Sequence, residues 1–314
     1  MGRMIFCSTI IPTVGRESLA RAVESVLHQD LSEVDFELLV VNDSGKPLEH
    51  AKWQRSEKVR IINTYKHERS VARNTGASIA RGNYLHFLDD DDWLLPGAFQ
   101  QFHELSQKSG VKWLYGITQL LDRYHNPTIQ LRHNLNGNCF LQAMAGEWIP
   151  LQSSFIERKA FFRTGGFNPL LAGPEDIDFQ RRFFLEEDAA ETPNIVACVV
   201  IGEEGSTTDY IRHSSVSRQA REFILEMPNA YSRMLPSAKG PTWHGRMMRI
   251  YLTSTAWNLK HRQFLKAASR GITSAGCCLI AGRSLFSTQY WKAVSKPYAS
   301  TTFERGIRDA YQER

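Results

Sequence analysis

Apolar and polar positions follow two periods along this chain. Residues 4–11 form a largely apolar run stopped at Pro12, a pattern that predicts a buried strand. Beyond Ser18, a candidate helix cap, Leu19, Ala22, Val23, Val26 and Leu27 keep the i, i+3, i+4, i+7, i+8 spacing of a helix with one apolar face. Residues 36–41 predict a second strand, stopped by the turn sequence Asn42-Asp43-Ser44-Gly45. A short strand over 59–62, a helix over 70–81 closed by Gly82, and a strand over 84–88 follow. These strands are apolar throughout rather than alternating, which predicts a mainly parallel sheet with both faces covered.

Beyond residue 110 the pattern is more mixed. Strands are expected at 113–121, 153–156 and 195–201, and a helix carrying Phe179, Phe183 and Phe184 opens around Gly173-Pro174-Glu175-Asp176-Ile177-Asp178. After about residue 225 helices rich in Arg, Lys, Trp and Tyr take over, so a boundary is placed there: a catalytic α/β domain over 1–226 and a helical region over 227–314.

Composition adds one asymmetry. The 314 residues are 42% hydrophobic and 23% charged, which excludes a disordered chain. No apolar run is long enough to cross a bilayer and no signal-peptide pattern opens the chain. Five cysteines without zinc spacing fit a reducing compartment. The expected location is therefore cytoplasmic, with peripheral attachment to the inner face of a membrane as a further option. The net charge of +5 is unevenly spread: residues 1–226 sum to −6 and residues 227–314 to +11, with no acid between Glu226 and Glu304. Eleven basic residues over 227–303, interleaved with aromatics, suit an anionic membrane surface; packing on the catalytic domain is the competing reading. No nucleic-acid-binding module is recognisable, so no nucleic-acid partner is expected.

The densest chemistry is Asp89-Asp90-Asp91-Asp92, directly behind the strand at 84–88. Adjacent carboxylates raise one another's pKa unless a cation compensates them. Oxygen ligands suit Mg²⁺ or Mn²⁺, ions that commonly bind substrate phosphates as well. A solvated acidic turn is the bland alternative. In a parallel sheet ligands gather at the carboxyl ends of the strands, which sets Pro12-Thr13, Asn42-Asp43 and the aspartates on one rim.

Five motifs in order then carry a resemblance. They are Ile10-Ile11-Pro12-Thr13 with Arg16; Val40-Val41-Asn42-Asp43-Ser44-Gly45; Ala72-Arg73-Asn74-Thr75-Gly76 leading to Phe87-Leu88-Asp89-Asp90-Asp91-Asp92; Gly165-Gly166-Phe167 with Glu175-Asp176; and residues 212–218 around His213. Together they resemble the inverting family 2 glycosyltransferases of the GT-A fold, over roughly residues 4–218. The resemblance implies a GT-A α/β fold, a mainly parallel central sheet flanked by helices, with a helical C-terminal extension. It implies metal-dependent transfer of a sugar from a nucleotide-diphosphate sugar, most often a UDP-sugar, to the hydroxyl of a glycan or lipid-linked acceptor.

The residue roles follow from the same resemblance. Pro12, Thr13 and Arg16 belong to the nucleotide loop. Asp43 contacts base or ribose, Asp89 lies near the ribose, Asp90 joins the donor-binding set or supports the turn, and Arg73 meets the diphosphate. Asp91 holds Mn²⁺ or Mg²⁺, completed by His213 in a closing loop. Asp176 is the base and Glu175 positions the acceptor or supports the helix start. Val14-Gly15 stands where many relatives carry an aromatic, and the Q-x-x-R-W motif of processive synthases is missing. The alternative outside catalysis is a nucleotide-sugar, carbohydrate or metal-binding module.

Overall fold

The structure is a computed structural model describing residues 4–31, 34–65, 68–171, 173–201 and 210–296; of residues 210–215 only the backbone is described. Strands β1 (Ile5–Thr13), β2 (Asp35–Asn42), β3 (Val59–Asn63) and β4 (Tyr84–Phe87) make the predicted parallel half of a sheet, with α1 (Leu19–Leu27) and α2 (Arg69–Ile79) as crossovers. Register is regular: Ile10 lies against Leu39 on one side and Phe87 on the other. In β2, Leu38 and Val40 enter one core while Leu39 and Val41 enter the other. That is why the strand reads as apolar at every position.

The second half is mixed, and here the expectation of a mainly parallel sheet needs correcting. The spatial order is β3-β2-β1-β4-β8-β6-β9-β5, where β5 is Trp93–Leu94, β6 Trp113–Leu121, β8 Ser154–Glu157 and β9 Ala189–Val200; β7 (Pro127–Leu131) adds to β6 outside this path. β8 runs antiparallel to both β4 and β6, whereas β6 and β9 are parallel. Inserting β8 between β4 and β6 reverses the local direction, because its chain enters from the rim side.

Helix α3 (Ala98–Ser109) covers the face that α1 covers. Helices α4 (Phe140–Met144), α5 (Arg158–Arg163) and α6 (Glu175–Glu186) pack on the other. A layer of rings fixes α6. Phe179 lies 4.9 Å from Phe167, and the Phe183 ring meets Trp113 of β6 edge-on at 5.1 Å.

Three local expectations change. Ser18 precedes α1 but its side chain makes no capping bond; its carbonyl accepts from Arg21 and Ala22 instead. Gly82 does not close α2, which ends at Ile79. It lies where a Cβ would stand 2.5 Å from the backbone of Cys7 and Ser8. There the Gly82 N–H donates to Ser8 Oγ, and Ser8 donates to the buried Glu37. The backbone of residues 212–218 is helical within α7 (Tyr210–Leu225), not a loop.

α8 (Ala230–Met234), α9 (Gly240–Lys260), α10 (Phe264–Ala281) and α11 (Thr288–Ser295) build the C-terminal annex. Ile250, Tyr251 and Cys277 share one hydrophobic cluster with Phe140, Phe179 and Ile10. The composition breaks at residue 226; the core runs on past it. Among the described residues no helix is long and apolar enough to cross a membrane.

The contact at Gly82 gives a first test. Gly82→Ala is expected to lower stability by about 1–3 kcal/mol, because its neighbours are backbone and cannot rotate away. A fall in the urea midpoint at unchanged slope would report it.

Candidate active site

The rim forms where β1, β2 and β4 end together. Asp43 N–H donates to Thr13 O as the last rung of the ladder, and Pro12 stands beside Val41 in register. From β1 the Thr13 hydroxyl donates to Asp90 Oδ2 at 2.6 Å. Arg16, one turn later, reaches Asp90 Oδ1 and Asp91 Oδ2, each at 2.9 Å. The nucleotide loop predicted from sequence thus clamps the aspartate turn.

The four aspartates occupy four environments. Asp89 Oδ1 accepts from Arg73 at 2.6 Å and Oδ2 from Gln152 at 3.0 Å. Asp90 is buried between Thr13 and Arg16. Asp92 is buried as well, and its Oδ1 accepts the Val200 N–H at 2.9 Å, tying the turn to the end of β9. Only the Asp91 side chain is substantially open, at 45%.

Protonation follows this arrangement. Burial and the charges of Asp89 and Asp91 push Asp92 well above the usual carboxylate range. Burial also raises Asp90 and Asp91, against the pull of Arg16. Burial would raise Asp89 too, but Arg73 and Arg69 outweigh it and leave Asp89 lowered. One carboxylate of the row is thereby fixed as an anion.

Arg73 joins this turn to α6. Its guanidinium is 4% exposed and forks, with Nη2 on Asp89 and Nη1 3.0 Å from Glu175 Oε1. Glu175 is itself 1% exposed and takes a second arginine, Arg69, at 2.5 Å. The structure therefore places Glu175 inside the protein at the helix start, and Arg73 in a buried bridge rather than on the open rim. Asp176, next on α6, is half-buried with Oδ1 accepting the Ile177 N–H at 2.7 Å. Burial raises its pKa, against the pull of Arg69 and Arg73.

The motif around Arg73 has a physical reading residue by residue. Gly76 lets α2 approach β1, since a Cβ there would stand 2.5 Å from Ile10. Asn74 grips the glycine turn, donating to Phe167 O at 2.7 Å and accepting from Phe167 N at 3.0 Å. Gly165 and Gly166 both have positive φ, which turns the chain back toward α6. The helix, the turn and the acid pair are thus fastened together.

Asp43 is also internally bonded. Its Oδ1 accepts from Thr64 Oγ1 at 2.5 Å and its Oδ2 from the Glu68 N–H, while Glu68 caps α2. The side chain of His213 lies outside the described residues. Among the described residues no three His, Cys, Asp or Glu side chains converge as a metal cage.

Arg69, Gln152 and His86 were not anticipated from sequence. Arg69 and Arg73 at i, i+4 on one helix face were the available signal for an acidic partner. Gln152 carries Asp89 on its side chain, and its carbonyl lies 3.0 Å from His86 Nε2. His86 is fully buried, stacked on Phe155 at 4.9 Å, with Nδ1 3.1 Å from Thr9 Oγ1. Burial lowers its pKa to about 4, so it stays neutral: Nε2–H donates to the carbonyl and Nδ1 accepts the Thr9 hydroxyl.

A sheet with an acidic rim at its strand ends, faced by a second acid pair on α6, is the α/β architecture of the GT-A fold. Residues 8–148 match the family model described as glycosyl transferase family 2, a segment that holds the whole rim and stops before α6. Over that segment, just under half of the chain, the sequence is similar to the family 2 glycosyltransferases.

Relatives agree. Over 115 residues the chain is 30% identical to the poly(ribitol-phosphate) beta-N-acetylglucosaminyltransferase TarP of Staphylococcus aureus, covering 35% of each chain. Over 169 residues it is 33% identical to the GalNAc(5)-diNAcBac-PP-undecaprenol beta-1,3-glucosyltransferase of Campylobacter jejuni, covering 49% of this chain and 54% of that one. It spans about a third of the length of TarP and less than two thirds of the Campylobacter enzyme. The fold matches the crystal structure of S. aureus TarS 1–349 in complex with UDP-GlcNAc with a TM-score of 0.58 at 14% identity, over 86% of this chain and 90% of that one.

The Arg73 bridge is testable without a substrate. Arg73→Met leaves Glu175 and Asp89 facing each other without the shared cation, with an expected loss of about 3–5 kcal/mol. Arg73→Lys keeps the charge but not the fork and should recover only part of it. Urea unfolding of the three proteins decides.

Proposed function

We propose that the chain is an inverting glycosyltransferase that moves a sugar from a nucleotide-diphosphate sugar to an acceptor hydroxyl in cell-surface glycan assembly. The observation that carries this reading is the buried Arg73 fork, which fastens the aspartate turn at the rim to the start of α6, where Asp176 stands. UDP-GlcNAc in the TarS neighbour and the named activities of the two relatives favour a UDP-sugar donor and a glycan or lipid-linked acceptor.

The acceptor oxygen attacks the anomeric carbon as the bond from that carbon to the diphosphate oxygen breaks. Asp176 takes the hydroxyl proton. Its raised pKa brings it closer to the working pH than an ordinary aspartate, and that favours a general base. In-line displacement at one carbon inverts its configuration. Arg73 and Arg69 set the position of Asp176 through Glu175, and Arg16 offers a half-exposed guanidinium at the rim to the donor phosphates.

The donor set fits a hard divalent ion. Asp89 is held by Arg73 and Gln152, and Asp90 and Asp92 are buried, which leaves the more open Asp91, paired only at its edge with Arg16, as the carboxylate for Mg²⁺ or Mn²⁺. Such an ion needs one or two carboxylates besides phosphate and water. When bound it would offset the charge developing on the departing diphosphate.

The test is a screen of UDP-sugars for donor hydrolysis and transfer with and without Mn²⁺ or Mg²⁺. Asp176→Asn should lower transfer by roughly 10²–10⁴-fold with donor affinity by calorimetry nearly unchanged. Full transfer in that variant would refute the base assignment. Asp91→Ala should abolish the metal dependence of donor binding. Because Asp176 must be ionised, the rate should rise with pH through a limb above the usual aspartate range.

A further inference from the structure

Helix α10 has two unlike faces. Ala267, Ser274, Cys277 and Ala281 are buried, and this side packs on α9. On the opposite side Leu265 is 90% exposed, Ile272 73% and Leu279 85%, with the exposed alanines 268 and 275 between them. A spacing of seven is close to two helical turns, so the three large side chains form one stripe along the helix. Phe286, 91% exposed, stands just beyond its end. A single exposed leucine needs no explanation, but a stripe of this length marks an interaction surface.

Charge decides what covers it. Residues 227–303 carry 11 Lys and Arg and no Asp or Glu. Exposed Lys260 and Arg262 stand at one end of the stripe and exposed Arg283 at the other. Glu226 is already paired with Lys266 of α10, so a second copy of the helix, parallel or antiparallel, would set Lys260, Arg262 and Arg283 against their own equivalents. An anionic bilayer supplies both the compensating phosphates and an apolar layer for the leucines. We infer that α10 lies on an anionic lipid surface by its Leu265–Ile272–Leu279 stripe, with Arg262 and Arg283 on headgroup phosphates. This surface is separate from the rim and does not depend on the glycosyl-transfer reading.

The experiment is co-sedimentation of the full chain with phosphatidylcholine vesicles, with and without phosphatidylglycerol. Binding is expected only with the anionic lipid and should fall with added salt. Leu265→Ser/Ile272→Ser/Leu279→Ser should weaken it by at least about tenfold, since each apolar side chain contributes through its buried methylenes. Arg262→Glu/Arg283→Glu should abolish the preference for anionic lipid. An unchanged far-ultraviolet circular dichroism spectrum and urea midpoint in both variants show that they fold. The inference is overturned if the wild type does not sediment with anionic vesicles, or if the triple variant sediments equally well. It is also overturned if ultracentrifugation shows lipid-free pairing of copies that the triple substitution abolishes.

Discussion

The buried fork of Arg73 is the constraint around which this molecule is organised. It places one guanidinium between Asp89, at the end of a strand, and Glu175, at the start of a helix far along the sequence. An ion pair this deep contributes little net stability, because desolvation offsets the attraction; losing one partner is what costs. Its value is positional. The planar fork admits one geometry, so the strand end and the helix start are held at a fixed distance and angle. The neighbouring details serve the same placement: Gly76 lets α2 sit close to β1, Asn74 holds the Gly165-Gly166 turn, and Gln152 takes the second oxygen of Asp89.

Four adjacent carboxylates cannot all be ionised at one strand end, and the fold resolves this by giving each a different partner. Arginines keep Asp89 anionic, burial drives Asp92 toward its neutral form, and Asp90 is shared between a hydroxyl and Arg16. Asp91 reaches solvent most, beside a half-exposed arginine, and Asp89 less, behind Arg73 and Gln152. A long acidic run thereby presents two of its four carboxyls. The same arginines act on Asp176 in the opposite sense to its burial, so its basicity is a balance between the two.

The parallel half of the sheet and its rim were legible in the sequence because both obey short-range rules. A strand buried on two faces is apolar at every position, and Asn42-Asp43-Ser44-Gly45 stops one wherever it occurs. The mixed half was less legible. β7 is exposed along most of its length and carries no apolar signal, and the direction of β8 is set by where its chain enters the sheet. At the site, the acids were found and their partners were not. Arg73 was read as meeting a phosphate, and its partner Glu175 lies beyond the reach of any local pattern. Gln152 and His86 give no signal at all until a fold brings them to Asp89. The segment 212–218 was read as a loop on motif likeness, although its backbone continues a helix.

The break in composition at residue 226 suggested two domains, yet packing gives a different division. The annex contributes Ile250, Tyr251 and Cys277 to the same cluster that holds Phe179 beneath Asp176. Its inner faces are therefore part of the support of α6, and their sequence is constrained by that core. Its outer faces meet no other part of the described chain, so packing places no demand on their charge. An excess of cations without a single acid through 227–303 repels itself and lowers stability slightly. Part of that charge is answered from outside the stretch, by Asp188 on Arg233 and Glu226 on Lys266. The compositional boundary thus separates two kinds of constraint, one from the core and one from whatever the annex faces, rather than two folding units.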